Sequence, residues 1–191
     1  PEDRGEGSEP PEGFKAAEDT VECPEEKMDG KKKEGATAEL GRIKAVYDLG
    51  KKMPGHTALI ETFLFDGKTT AGWRGYRQKT MPAGWAVVDG ALTRVAQGGD
   101  IVTDREFDDF ELELEWKIPP KGNSGIFYRA TEETERIFEN ATEVQVLDNV
   151  LHPDNKTPLT LAGANYGLYP SPADAVKPVG EWNTVRIVAK G

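Results

Sequence analysis

Between Phe110 and Ile118 apolar and charged side chains alternate without a break: Phe110, Leu112, Leu114, Trp116 and Ile118 fall on one face, Glu111, Glu113, Glu115 and Lys117 on the other. A period of two is that of a strand with one face in a core and one in water. Other runs share this character. "TFLFDG" ends in Asp66-Gly67, "GWAVVDGALTRV" is two runs around Asp89-Gly90, and "GIFYR", "TEVQVL" and "WNTVRIV" are β-branched or aromatic, with loops rich in Pro, Gly, Asn and Asp between them. Asp89-Gly90 predicts a two-residue hairpin turn, because both central positions need positive φ. Many short strands and almost no helix after Leu59 predict an all-β domain over 59–191, a sandwich rather than a wound parallel sheet.

The pattern before Leu59 differs. "TAELGRIKAVYDL" (37–49) places Leu40, Ile43, Val46 and Tyr47 at helical spacing and predicts a short amphipathic helix, weakened by Gly41 and closed by Gly50 and Pro54. Residues 1–36 have no apolar period. Of a formal net charge of −10, residues 1–30 carry −8, with eleven acids against three bases. Such a segment buries too little apolar surface to offset its ordering entropy, so 1–58 is predicted to be a largely irregular acidic arm holding the one short helix.

Charge and cysteine usage narrow the function classes. No basic face is visible, which argues against nucleic acid, and no apolar run reaches the length of a membrane-spanning helix. Cys23 is the single cysteine and forms no internal disulfide; it is read as an inert thiol. The chain starts at Pro1 without a methionine, which suggests removal of an upstream segment and an exported, periplasmic or envelope-associated protein.

Candidate chemistry gathers in three stretches. In "ATEVQVLDN" (141–149) alternation sets Glu143 and Gln145 against Val144 and Val146, and Asp148 joins Glu143 only across a bulge. With the bulge the two carboxylates form an acid/base pair; without it, this is a solvated strand face followed by an Asp148-Asn149 turn. "WKIPPKGNSGIFYR" (116–129) puts Asn123 and Ser124 on a glycine-flanked tip and Arg129 on the face of Phe127. An arginine beside an aromatic, near Glu and Gln, suits a sugar, although an ordinary surface ion pair would also account for Arg129. His152, beside Pro153 and four residues from Asp148, is a titratable loop group. No metal-ligand spacing and no phosphate-binding glycine loop is present, so no cofactor is expected; "HPDN" offers too few oxygens to argue for Ca²⁺. "NAT" at 140 and "NKT" at 155 fit the glycosylation triplet.

The segments "LFDGKTTAGWRG", "GWAVVDGALTRV", "GGDIVTDREFDDFELELEWKIPPKGNSGIFYR", "TEVQVLDN", "GLY" and "KPVGEWNTVRIVAKG" together resemble the family once called domain of unknown function 1080 and now 3-keto-disaccharide hydrolase, a concanavalin A-like β-sandwich. The resemblance runs from Leu64 to Gly191 and implies a hydrolase or lyase acting on 3-keto-glycosides. It implies Glu143 as base, Asp148 or His152 as acid, Arg129 and Asn123 facing an enolate, and Gln145, Trp182 and Asn183 holding the sugar. "EVQVLD" is also similar to the acid-X-acid motif of sandwich glucanases, with Gln145 in place of the middle carboxylate, which argues against ordinary retaining hydrolysis. Family members usually continue beyond "EWNTVRIVAKG" with further strands. A fragment of a longer protein, or a partner covering an open sandwich edge, accounts for that difference. Two competing classes follow: a non-catalytic subunit docked on a larger, membrane-associated complex through residues 1–58, and a carbohydrate-binding module.

Overall fold

The computed structural model describes residues 38–48, 59–171 and 176–191; residues 1–37, and with them Cys23, lie outside, as does His56. Ten strands and one turn of 3₁₀ helix (Ile137–Glu139) make up the described chain. Six strands form the larger sheet: β10 (Asn183–Ala189) pairs with β7 (Phe110–Lys117), β7 with β1 (Glu39–Asp48), and β1 on its other edge with both β2 (Leu59–Phe65) and the hairpin β5–β4 (Ala91–Arg94, Trp85–Val88). Two antiparallel pairs complete the fold, β3 (Trp73–Gly75) with β6 (Ile101–Thr103) and β8 (Asn123–Tyr128) with β9 (Thr142–Leu147). The chain is the predicted all-β sandwich.

The core is where the alternating patterns meet. Ile43, Phe65, Leu92, Leu114, Trp116, Ile118 and Ile187 from the large sheet pack with Ile126, Val146 and Leu147 from β8–β9. The Asp89-Gly90 turn forms as predicted, both residues at positive φ (52° and 74°), and it sets the register Val88↔Ala91 through Trp85↔Arg94.

The helix predicted over 37–49 is not formed; Glu39–Asp48 is strand β1. The error has a physical cause. Between Leu40 and Ile43 the pairing with β7 slips by one residue, so Leu40 faces Trp116 and Ile43 faces Leu114. A bulge resets alternation, and a three-residue apolar spacing that imitates a helical period is then a strand keeping one face inward. Pairing on both edges overrides the weak local preference. The predicted boundary at Leu59 therefore leaves outside the sandwich a strand that sits within its larger sheet.

On the outer face of that sheet a Cβ on Gly41 would lie 3.1 Å from the Trp182 ring and 3.3 Å from the Glu115 Cβ. The Lys117 ammonium sits 4.8 Å from the Trp182 ring centroid and 2.9 Å from Glu39. Gly41→Leu separates the two readings of β1. A helix would gain up to about 1 kcal/mol from the change, whereas a strand packed under Trp182 should lose about 1–3 kcal/mol by overpacking; the midpoint of urea unfolding decides, and we expect the loss.

Candidate functional site

The β8–β9 hairpin runs in unbroken register from Asn123↔Leu147 to Tyr128↔Thr142. Ile126, Val144 and Val146 turn to the core, so Phe127, Glu143 and Gln145 project from the opposite face. The free edge of β9 is covered by the loop that follows it: Gln145 N–H donates to Ala164 O (2.9 Å), Gly163 N–H to Gln145 O (2.8 Å) and Tyr166 N–H to Glu143 O (2.9 Å). That cover buries Gln145 and sets the exposed rings of Tyr166 and Tyr169 on the loop flanking Glu143.

Glu143 owes its position to a missing side chain. A Cβ on Gly125 would fall 2.1 Å from Glu143 Oε1 and 2.8 Å from its Cδ, so the carboxylate lies directly over the β8 backbone. Among the described residues it receives no hydrogen bond. Burial and the nearby charge of Asp100, in that order, push its pKa up to about 7.

Asp100 was missed in the sequence. It arrives on the loop Gln97–Gly98–Gly99, which crosses Gly84 so closely that a Cβ there would lie 2.3 Å from the Gln97 carbonyl oxygen; Trp85 Nε1 pins the loop by donating to Gly99 O (3.0 Å). Burial raises the Asp100 pKa and Arg94 opposes the rise. "GGD" fails as a phosphate loop, and its double glycine marks instead a close backbone crossing that carries an acid.

The remaining predicted residues do not join Glu143. The bulge needed to bring Asp148 alongside is absent, and five residues of extended chain, roughly 16 Å, separate the two. Asp148 is buried with both oxygens engaged: Oδ2 accepts from Lys121 N (2.7 Å) and Oδ1 from Val150 N (2.9 Å) and Leu151 N (3.2 Å). Burial alone would raise its pKa, but those three donors and His152 hold it below the ordinary value. His152 belongs to the same turn, its backbone N–H donating to Asp148 O and its Nδ1 accepting from Asp154 N (3.1 Å). Asn123 reaches Asp154 there (3.3 Å). Arg129 lies past the end of β8 at φ 57°, out of the strand's alternation, and donates to Gly191 O (2.8 Å). Trp182 packs on the outer face of the large sheet, while Asn183 is buried and fastens the loop before it through Lys177 N (2.8 Å) and Glu181 O (3.2 Å).

The triplet asparagines are structural as well. Asn140 Nδ2 donates to Thr131 and Thr134, and Asn155 Nδ2 to Asn149 O and Val150 O. Among the described residues no group of three His, Cys, Asp or Glu is placed to hold a metal, and no helix is long and apolar enough to cross a membrane.

Residues 61–191 match the sequence profile of the 3-keto-alpha-glucoside-1,2-lyase-like domain. The chain is 39% identical over 147 residues to a 3-keto-disaccharide hydrolase of Bacteroides thetaiotaomicron, covering 65% of this chain and 51% of that one. Two crystal structures of proposed glycosyl hydrolases from Parabacteroides distasonis are similar, each at 31% identity: one with TM-score 0.62 over 68% of this chain and 63% of that one, the other with TM-score 0.51 over 61% and 62%. The chain thus spans about half the length of the curated relative and under two thirds of the two solved ones. It belongs to the 3-keto-alpha-glucoside-1,2-lyase-like family.

Two outcomes follow from the site. Gly125→Ala forces only the flexible end of Glu143 to move, so unfolding free energy should change by less than about 1 kcal/mol while the Glu143 carboxyl, followed by carbon-13 NMR, titrates below its present value of about 7. The pH dependence of stability carries the sign of a raised acid. Folded Glu143 holds its proton up to about pH 7 and the unfolded group releases it near 4.5. Its contribution is complete below 4.5 and is lost as the pH rises towards 7. Thermal melts of the wild type against Glu143→Gln should show the wild type losing on the order of 1 kcal/mol across that window, allowing for a half-exposed carboxylate.

Proposed function

We propose that this domain cleaves 3-keto-glycosides by elimination, with Glu143 as the base. The observation that carries the reading is a half-buried carboxylate without a hydrogen-bond donor, its pKa near 7, held against a glycine backbone on the open face of the sandwich. In a 3-keto-glycoside the ketone acidifies the hydrogen on C2. Glu143 takes that proton, the electron pair passes into a C2–C3 enolate, and collapse of the enolate breaks the bond from C1 to the glycosidic oxygen. The departing oxygen takes a proton from the acid form of Glu143, and water then adds at C1. A base whose pKa lies near neutrality suits both removal and return of a proton.

Asp100 is assigned a supporting part. Its charge disfavours ionisation of Glu143 and so keeps that carboxylate basic. Gln145 sits one register step away on the same face but is buried beneath the 161–165 loop, its Oε1 accepting from Val146 N (3.0 Å). It shapes the floor rather than reaching the sugar. The exposed rings of Tyr166 and Tyr169 provide flat surfaces of the kind on which a pyranose stacks.

Glu143→Gln should lower kcat on a 3-keto-disaccharide by at least about 100-fold while binding persists; turnover at the wild-type rate would remove Glu143 from the reaction. The wild-type rate should rise with pH through about 7. In Asp100→Asn that rising limb should move to lower pH, because the like charge is gone; a pH–rate profile of kcat/KM reads both.

A further inference from the structure

A shallow, open cavity among the described residues lies apart from Glu143. It holds about 470 Å³ and is lined by Arg74, Arg77, Gln78, Lys79 and Glu132. It neighbours the catalytic face through the backbone: Tyr76 N–H donates to Asp100 O (2.9 Å), and Gly75 pairs with Ile101. Its other wall, at Glu132, belongs to the segment leaving β8.

The charges there are not equivalent. Arg74 is matched by acids: Nη1 and Nη2 grip the two oxygens of Glu132 at 2.6 and 3.0 Å, and Nε lies 3.6 Å from Asp104. Among the described residues the Arg77 and Lys79 side chains grip no carboxylate, although the Arg77 charge does act on Glu132. Arg77 gives one guanidinium N–H to Thr134 O (3.2 Å), leaving most of its five donors, and Lys79 is exposed with no ion-pair partner among the described residues. Two cationic side chains that grip no carboxylate flank one concavity.

The loop that presents them is braced. Arg77 has a left-handed backbone, φ 56°, which a side chain of its type rarely adopts, and Glu132 fixes it by accepting the Arg77 N–H at 2.5 Å. The Tyr76 hydroxyl lies 2.8 Å from Thr131 O and 3.0 Å from Thr134 O, tying the tip to the opposite wall. Gly75 N–H donates to Thr80 O at 3.0 Å, which closes the loop's base.

We propose that this cavity is an anion subsite which receives a carboxylate or sulfate group carried by the saccharide whose reacting ring lies at Glu143. Arg77 supplies a planar fork and Lys79 a mobile point charge, the two forms of donor an oxyanion takes up. This assignment rests on the reading of Glu143 as the base for the position of the reacting ring, but not for the chemistry of the subsite.

The test compares three 3-keto-disaccharides that differ only at C6 of the leaving sugar: hydroxymethyl, carboxylate, and sulfate ester. The wild type should show kcat/KM at least about tenfold higher for one or both anionic substrates, a preference that shrinks with added salt. Which of the two leads identifies the anion. Arg77→Asn with Lys79→Gln removes both charges while suiting the left-handed backbone, and should bring the ratio near one with an unchanged melting temperature. Equal kcat/KM for all three substrates in the wild type overturns the subsite and leaves the elimination reading standing. Should none of the three be turned over, the elimination reading fails by itself. NMR titration with the unoxidised disaccharides then decides the subsite, anion-dependent binding that the double variant abolishes supporting it and equal binding of neutral and anionic sugars overturning it.

Discussion

The register between β8 and β9 is the constraint on which the rest of the structure depends. With Gly125 opposite Gln145 and Phe127 opposite Glu143, Ile126, Val144 and Val146 turn inward together. A slip by one residue would drive Glu143 and Gln145 into an apolar core and put two valines in water. Hydrophobic sorting therefore fixes where the acid stands, and the glycine across from Gln145 leaves the gap in which it lies. The loop over the far edge of β9 then protects the strand and narrows the solvent reaching the carboxylate.

Two carboxylates on this short stretch show that burial does not by itself make a base. Asp148 is the more deeply buried, yet three backbone N–H groups and His152 hold it ionised. Glu143 is buried less and has no donor, so desolvation goes unopposed and Asp100 adds to it. The difference lies in what the backbone offers. Asp148 begins a turn whose free N–H groups need an acceptor, as the residue types of "LDN" imply. Glu143 is in mid-strand, where the nearby N–H groups of Gln145 and Tyr166 are already committed to backbone carbonyls.

Much of this was legible. The strict alternation of 110–118, the Asp89-Gly90 turn and the apolar/polar split of 142–146 reported strands and their faces directly, and the order of motifs pointed to the family. What failed shares one origin: contacts between residues distant in sequence. The Leu40–Ile43 spacing looks helical until the bulge against Trp116 and Leu114 is known. Asp148 and His152 are close to Glu143 in number only, since an extended strand carries residues apart quickly. Spacing alone puts Arg129 on the face of Phe127, yet alternation ends where its φ turns positive. Asp100 could not be found from spacing, since forty-three positions separate it from Glu143 and only the Gly84–Gln97 crossing brings its loop into place.

That crossing explains why the candidate site stands at one end of β8–β9 and the conspicuous polar cluster at the other. The Asp148 turn, with His152, Asn123 and Asp154, consists of groups that satisfy one another. Its hydrogen bonds hold the hairpin's end closed and engage both oxygens of Asp148. Around Glu143 the opposite holds: a carboxylate without a donor among the described residues, and an acid of like charge nearby. Polar residues that complete each other stabilise a fold; polar residues left incomplete by a rigid frame are poised to be completed by a ligand. By that criterion the Glu143 end is where we place the proposed chemistry, although the sequence is richer in familiar catalytic residue types at the other.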